Sequence, residues 1–133
     1  MSPSTVLVPI DGTDPSFRAL EFATEFVDQF DAALDVVHIT DEHTDATDEI
    51  LRRADRVLDA AGIDADAEVS TDLEMEFRPA ERVGQDVLEL VERRGYDHVI
   101  MGHQSAGTVE RAIIGSAAET VLRADRVPLT VLP

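Results

Sequence analysis

Hydrophobic and polar positions along this chain fall into blocks whose period changes from one segment to the next. Short apolar runs occupy residues 5–10 (TVLVPI), 34–39 (LDVVHI), 97–101 (DHVIM) and 127–132 (VPLTVL). Runs of this length, the first and third nearly continuous, are typical of strands buried on both faces. Residues 65–70 (ADAEVS) alternate more weakly and predict a further strand.

Between these runs, apolar residues recur three and four positions apart, as on one face of an amphipathic helix. The first segment covers 19–30 and places Phe30 on the stripe that faces the sheet. The second covers 50–61. The third covers 79–95, where a proline starts the helix and a glycine ends it, and a fourth follows over 116–123.

Strands and helices therefore alternate as βαβαβαβαβ, over a single domain of residues 1–133. This order predicts an α/β fold with a five-stranded, mostly parallel, doubly wound sheet and helices on both faces. In such sheets, ligands bind outside the carboxyl ends of the strands, where the strand order reverses. Asp11, after the first strand, and Gly102, at the end of the fourth, are expected to be neighbours there.

Residues 101–116 (MGHQSAGTVERAIIGS) place glycines and hydroxyls between an apolar strand and a helix start. Glycines let backbone amides approach a ligand, and the first amides of a helix are unpaired, so this segment favours a phosphate group. A Walker-type phosphate loop is excluded because the chain has no lysine, and no G-x-G-x-x-G fingerprint follows the first strand.

The charge balance is strongly acidic, with 28 Asp and Glu against 11 basic residues, a net charge of −17, and every basic residue an arginine. Such a surface repels nucleic acid and anionic membranes, so neither is expected as a partner. It is typical of proteins from a halophile, since molar salt shortens the Debye length to about 3 Å and screens the repulsion between carboxylates. The absence of cysteine excludes disulfides and thiolate chemistry.

The chain shows neither a secretory leader pattern at its first residues nor an apolar stretch of membrane-spanning length, so a cytoplasmic location is expected. Residues 40–48 (TDEHTDATD) are expected to form a solvated loop. Residues 71–78 (TDLEMEFR) fit a strand extension, a short lid or an irregular loop equally well.

Three segments carry a resemblance to a known family: residues 6–23 (VLVPIDGTDPSFRALEFA), 36–40 (VVHIT) and 101–133. Together they resemble the universal stress protein family across essentially the whole chain. Its nucleotide-binding branch has the signature G-x2-G-x9-G-[S/T], which here falls on Gly102, position 105, Gly115 and Ser116. Ser105 departs from the signature, and if a positive φ is needed there a serine costs roughly 1 kcal/mol or more.

The resemblance implies a site for ATP together with Mg²⁺. Pro9 and Asp11 would line it from the first strand, and Ile39 would contact adenine. The ribose and phosphates would be surrounded by Met101, Gly102, His103, Ser105, Gly115, Ser116 and Ala117. An ionised carboxylate only accepts hydrogen bonds, so Asp11 is expected to meet a ribose hydroxyl, the adenine amino group or hydrated Mg²⁺.

Each of these residues also has a structural interpretation. Ser116 and Glu119 form an S-x-x-E capping box that would start the fourth helix. Gly102 would then only end a strand, and Asp11-Gly12 with Asp14-Pro15 would form a turn and the start of the first helix. The joint spacing of the motif, more than any one residue, favours nucleotide binding.

Other polar residues give weaker indications. Arg111 could supply a positive charge near phosphate or form a surface salt bridge, and His103 is the one histidine placed in the glycine-rich segment. Residues 41–45 could hold a metal through a histidine and two aspartates, but a solvated acidic loop is the favoured interpretation.

No catalytic residues can be assigned, so the chain is interpreted as a nucleotide-dependent binding or signalling module of the stress response. The alternatives are an interaction protein whose nucleotide site has lapsed, with Ser105 as the first sign of loss, and a slow ATPase. The resemblance further implies a homodimer formed by the last strand, residues 127–132, whereas Pro128 and Pro133 would otherwise only blunt a free edge.

Overall fold

The computed structural model describes residues 4–39, 44–65, 67–70, 79–102 and 116–133. Strands and helices alternate through these residues. In chain order they are β1 (Thr5–Ile10), α1 (Asp14–Phe30), β2 (Ala33–Ile39), α2 (Asp45–Ala60), β3 (Ala67–Ser70), α3 (Pro79–Arg94), β4 (His98–Gly102), α4 (Ser116–Ala124) and β5 (Leu129–Leu132).

The five strands form one sheet in the order β3-β2-β1-β4-β5, with every neighbouring pair parallel. The predicted doubly wound α/β fold is confirmed, and the sheet is parallel throughout. The chain builds outward from β1 through β2 to β3, and then crosses back to β4 and β5 on the other side. The strand order therefore reverses between β1 and β4, and β5 lies at an edge of the sheet.

Helices α1 and α2 cover one face of the sheet, and helices α3 and α4 cover the other. Alternate residues of a strand point to opposite faces, so the buried core has two parts. On the α1/α2 face the buried core includes Val6, Val8, Ile10, Leu20, Val36, Leu58 and Ile100. On the α3/α4 face it includes Leu7, Val37, Ile39, Val87, Val99, Met101 and Val121.

Two helices begin earlier than their apolar spacing predicts. The Thr13 side chain caps α1 by accepting from the amide of Ser16, so the helix starts at Asp14. Thr44 and Thr47 form a reciprocal capping box that starts α2 at Asp45. The expectation of a loop through residue 48 is therefore wrong for residues 45–48. Acidic side chains there lie in the first turn of α2, where the helix dipole favours them.

The outer side of α1 is more apolar than predicted. Phe30 was expected on the stripe that faces the sheet, but 68% of it is exposed. Its ring stacks on that of Phe26 with 4.8 Å between centroids, and Phe22 continues the row at 6.4 Å from Phe26. In the described part of the chain, Phe22, Phe30 and Leu122 of α4 are the exposed large hydrophobic residues.

A polar cluster joins α3 to the amino-terminal edge of the sheet. The Tyr96 hydroxyl donates to Asp35 Oδ2 at 2.6 Å, and Arg94 donates to the Tyr96 oxygen at 3.2 Å and to Glu68 at 2.5 Å. Burial, followed by the bond to Asp35, raises the pKa of Tyr96 to about 12. The cluster lies at the edge opposite the predicted ligand site.

No helix among the described residues combines the length and apolar composition needed to cross a bilayer.

Candidate functional site

The carboxyl ends of β1 and β4 lie side by side where the strand order reverses. Their ladder pairs Val6 with His98 and Leu7 with Val99. By contrast, β1 pairs with β2 over its whole length.

Pro9 gives a physical reason for the shorter ladder. The backbone of Thr5 points toward β4, since its carbonyl accepts from the amide of Asp97 at 2.8 Å and its amide donates to the Asp97 side chain at 2.9 Å. Alternate residues of a strand present their backbone groups to the same neighbour, so Pro9 also faces β4. Proline has no N–H to donate. The two strands are therefore less firmly joined at the point where a doubly wound sheet binds ligands.

Four of the predicted site residues share the α3/α4 side of this point. Ile39 and Met101 are buried in one cluster, and Ala117 packs against it from the first turn of α4. Pro9 is buried and shares the face of Leu7, two residues earlier in β1, which belongs to the same cluster. The structure thus places these residues of β1, β2, β4 and α4 on the same apolar side of the sheet, where they form the apolar wall.

Asp11 is exposed, but its carboxylate already has a local role. Oδ1 accepts from the Thr13 amide at 3.0 Å and from the Thr13 hydroxyl at 2.5 Å. Gly12 lies between them with φ of +88°, a conformation that favours glycine. Thr13 in turn caps α1, so the predicted turn is present and the carboxylate of Asp11 is held at the mouth of the site.

Gly102 allows α1 to begin directly against the end of β4. A Cβ on Gly102 would lie 2.4 Å from the carbonyl carbon of Pro15 and 2.5 Å from the amide nitrogen of Ser16. Only a residue without a side chain fits at that distance. The two strand ends are neighbours as predicted, and the contact is made through the first turn of α1.

His38 contributes an interaction that the sequence analysis did not identify. Its ring is buried, and Nδ1 lies 2.7 Å from the carbonyl oxygen of Ile10, the residue before Asp11. A carbonyl only accepts, so Nδ1 carries the proton in this bond. The bond fixes the last residue of β1 to β2, and sequence spacing gives no signal for a contact 28 residues apart.

The amino end of α4 lies at the same edge of the sheet. Because β4 and β5 are parallel, the helix that connects them runs back along the sheet and begins at its carboxyl edge, at Ser116. The first amides of a helix have no partner within the helix itself, so an anion is favoured at such an end. Glu119, the partner proposed for a capping box, bonds to Arg123 at 2.9 Å.

Several predictions fall outside the described part of the chain: those for His103, Ser105, Arg111 and Gly115, for residues 40–43 of the acidic segment, and for residues 71–78. In the ranges that the structure does describe, no three His, Asp or Glu side chains are grouped as a metal site would require.

Comparisons with known proteins give a consistent result. The model of the universal stress protein family matches residues 3–133. Universal stress protein MJ0531 of Methanocaldococcus jannaschii is 22% identical over 145 residues, covering 96% of this chain and 80% of that protein. A universal stress protein solved in complex with cAMP has a TM-score of 0.76 at 22% identity, with 99% of this chain and 98% of that chain covered. The Archaeoglobus fulgidus universal stress protein solved with dAMP has a TM-score of 0.69 at 18% identity, with the same coverage.

Proposed function

This chain belongs to the universal stress protein family, and from that membership we propose that it binds a nucleotide, ATP with Mg²⁺, at the carboxyl ends of β1 and β4. The observation that supports the proposal is that Pro9, Ile39, Met101 and Ala117 all lie on the α3/α4 side of the sheet, close to the edge at which the strand order reverses. Two proteins of the same fold were solved with adenine nucleotides, one with cAMP and one with dAMP.

Different parts of the site bind different groups of the nucleotide in this proposal. The apolar wall suits adenine, and the amino end of α4 suits phosphate oxygens through backbone amides and the positive end of the helix dipole. Asp11 keeps its second carboxylate oxygen, Oδ2, for a ribose hydroxyl or for a water molecule on Mg²⁺. His103, Ser105, Gly115 and Ser116 complete the set that the family signature assigns to the ribose and phosphates.

The chain acts, in this proposal, as a binding module whose nucleotide-bound state regulates partner contacts, with no catalytic role assigned to any residue. It works in the cytoplasm of a halophile, where high salt screens its net charge of −17. It forms a homodimer in which the edge strand β5 pairs with the β5 of a second copy. Pro128 and Pro133 flank that strand and limit the pairing to the residues between them.

Thermal unfolding in molar KCl, with and without millimolar MgATP, tests the nucleotide site. A ligand at 100 times its Kd stabilises the folded state by about 2.7 kcal/mol. For a chain of this size the expected rise in Tm is about 8 °C or more. The Ala117→Glu variant places a carboxylate at the amino end of α4 and is expected to lose the rise.

Ala124→Glu is the matched control, because it makes the same change at the other end of the same helix, against the same core cluster. It is expected to keep the rise. An unchanged Tm in the wild-type protein with MgATP would contradict the proposal. A full rise in Tm in both variants would show that the nucleotide binds elsewhere.

A further inference from the structure

A ridge of side chains on α1 runs beside the edge strand β5. Arg18, Phe22, Phe26 and Phe30 are spaced four residues apart, so each is next to the one before it and the row turns gradually around the helix. The Arg18 Nε donates to the carbonyl oxygen of Pro133 at 2.6 Å, which fixes one end of the ridge beside the carboxyl end of β5.

The other half of the ridge is tied to the same strand through His98. The Phe26 ring lies 5.2 Å from the His98 ring, and His98 Nε2 lies 2.8 Å from the Thr130 hydroxyl oxygen. Helix α1 itself lies chiefly over β1 and β4 and reaches β5 at its flank. The ridge therefore follows the whole length of the exposed edge.

Exposed apolar residues occur on the helices of both faces of the sheet. Phe22 is 39% exposed and Phe30 68% exposed on the α1/α2 face, and Leu122 is 52% exposed on the α3/α4 face. Large exposed hydrophobic residues next to an edge strand indicate a surface that a partner covers. A partner that extends the sheet at β5 is favoured here, because exposed apolar residues occur on the helices of both faces.

The recess between the rings has a definite chemistry. Phe22, Phe26 and Phe30 line it together with Glu25, Asp28 and Gln29. Aromatic faces beside carboxylates suit a guanidinium group, which stacks on the rings and pairs with the acids. The carboxyl end of α1 has no basic residue of its own in its last turn, so a cation from outside is favoured there also by the helix dipole.

A second copy of this chain provides such a guanidinium. If β5 pairs antiparallel with β5 of the partner about a two-fold axis perpendicular to the sheet, the two α1 helices run antiparallel on the same face. Arg18 of the partner subunit then lies opposite Phe30. Strand spacing puts the two helix axes about 19 Å apart. Because helices with their side chains are 10–12 Å thick, about 8 Å separates the surfaces of the two helices, and only long side chains such as Arg18 can extend across it.

We propose that the α1 ridge is the second half of a homodimer interface, in which Arg18 of each subunit docks into the Phe22–Phe30 recess of the other. The proposal rests on the β5 dimer proposed above and adds to it a specific contact between helices. High salt is required for assembly, because each subunit carries a net charge of −17 and acidic residues border the recess.

Sedimentation velocity in molar KCl measures the dissociation constant of the dimer. Phe30→Gln is expected to raise it at least tenfold, and Arg18→Gln about fivefold. Arg52→Gln, a similarly exposed arginine of α2 that pairs with Glu49, is the matched control and is expected to leave it unchanged. Phe30 is mostly exposed, so its replacement is expected to leave the monomer folded.

The double variant Arg18→Gln/Phe30→Gln tests the antiparallel arrangement. Within one helix these residues are separated by about 18 Å, too far for direct contact. Their effects on the dissociation constant are expected to be less than additive, because each change removes the same contact between subunits. Strict additivity would contradict the docking of Arg18 at Phe30.

The failures of the two proposals are distinguishable. If the wild-type protein is a dimer and the Phe30 and Arg18 variants have the same dissociation constant, the ridge contact is overturned and the β5 dimer stands. A wild-type protein that is monomeric at every KCl concentration would overturn both.

Discussion

The Gly102→Ala substitution tests whether the site is built around a direct contact between β4 and α1. No positive φ is required at Gly102, so alanine would be tolerated by the backbone and would ordinarily stabilise the fold by about 0.4–1 kcal/mol. The new Cβ, however, would lie 2.4 Å from the carbonyl carbon of Pro15, where ordinary contacts begin at 3.4 Å. The strand and helix would have to separate by about 1 Å.

Overpacking of this kind costs roughly 1–3 kcal/mol. We therefore expect Gly102→Ala to lower the free energy of unfolding by about 2 kcal/mol and the Tm by about 8 °C. Urea unfolding in molar KCl measures the first quantity. Gly62→Ala is the control: φ there is +72° with no atom within 4 Å of the added Cβ, so only the backbone strain of about 1 kcal/mol applies. A Gly102→Ala protein as stable as the wild type would refute the close contact.

Three further predictions concern single side chains. Thr13→Ala removes the cap of α1 and a donor to Asp11 and is expected to lower the free energy of unfolding by about 1–2 kcal/mol. Thr13→Ser keeps both interactions and is expected to be as stable as the wild type, and urea unfolding compares the two variants. The pKa of Tyr96 is raised to about 12 in the folded state, so its contribution to stability is complete below pH 10 and is lost as the pH rises from 10 to 12. In pH-dependent unfolding, Tyr96→Phe, which also loses the bond to Asp35, is expected to show a smaller fall in the free energy of unfolding over this alkaline range. Burial lowers the pKa of His98, so its neutral form is favoured by folding and stability falls as the pH drops below 6.5. His98→Gln is expected to lose this part of the acid dependence of the unfolding free energy, and an unchanged dependence would contradict the prediction.

The periodicity of apolar residues was sufficient to predict the fold, because nearly continuous apolar runs and intervals of three and four residues distinguish buried strands from helices. It did not give the helix starts at Asp14 and Asp45, since these first turns are polar and depend on capping by Thr13 and Thr44. It also placed Phe30 toward the sheet, although 68% of this residue is exposed and its ring packs against Phe26 of the same helix.

The candidate site was predictable to the extent that it follows from strand order. Carboxyl ends of parallel strands converge, so the meeting of Ile39 and Met101 in one cluster follows from the βαβ pattern together with the family signature. The bond from His38 to Ile10 and the contact of Gly102 with Pro15 could not be predicted. Both depend on the register and spacing between elements distant in sequence, which composition and periodicity do not contain.

Equilibrium dialysis of labelled MgATP against the protein, in dilute buffer and in molar KCl, tests the central claim most directly. The proposed site predicts saturable binding of one nucleotide per chain in molar KCl, with weaker binding in dilute buffer, because a net charge of −17 repels ATP until salt screens it. Binding should be lost in Ala117→Glu and kept in Ala124→Glu. The absence of saturable binding at every salt concentration would contradict the claim, and tighter binding in dilute buffer would contradict its electrostatic basis.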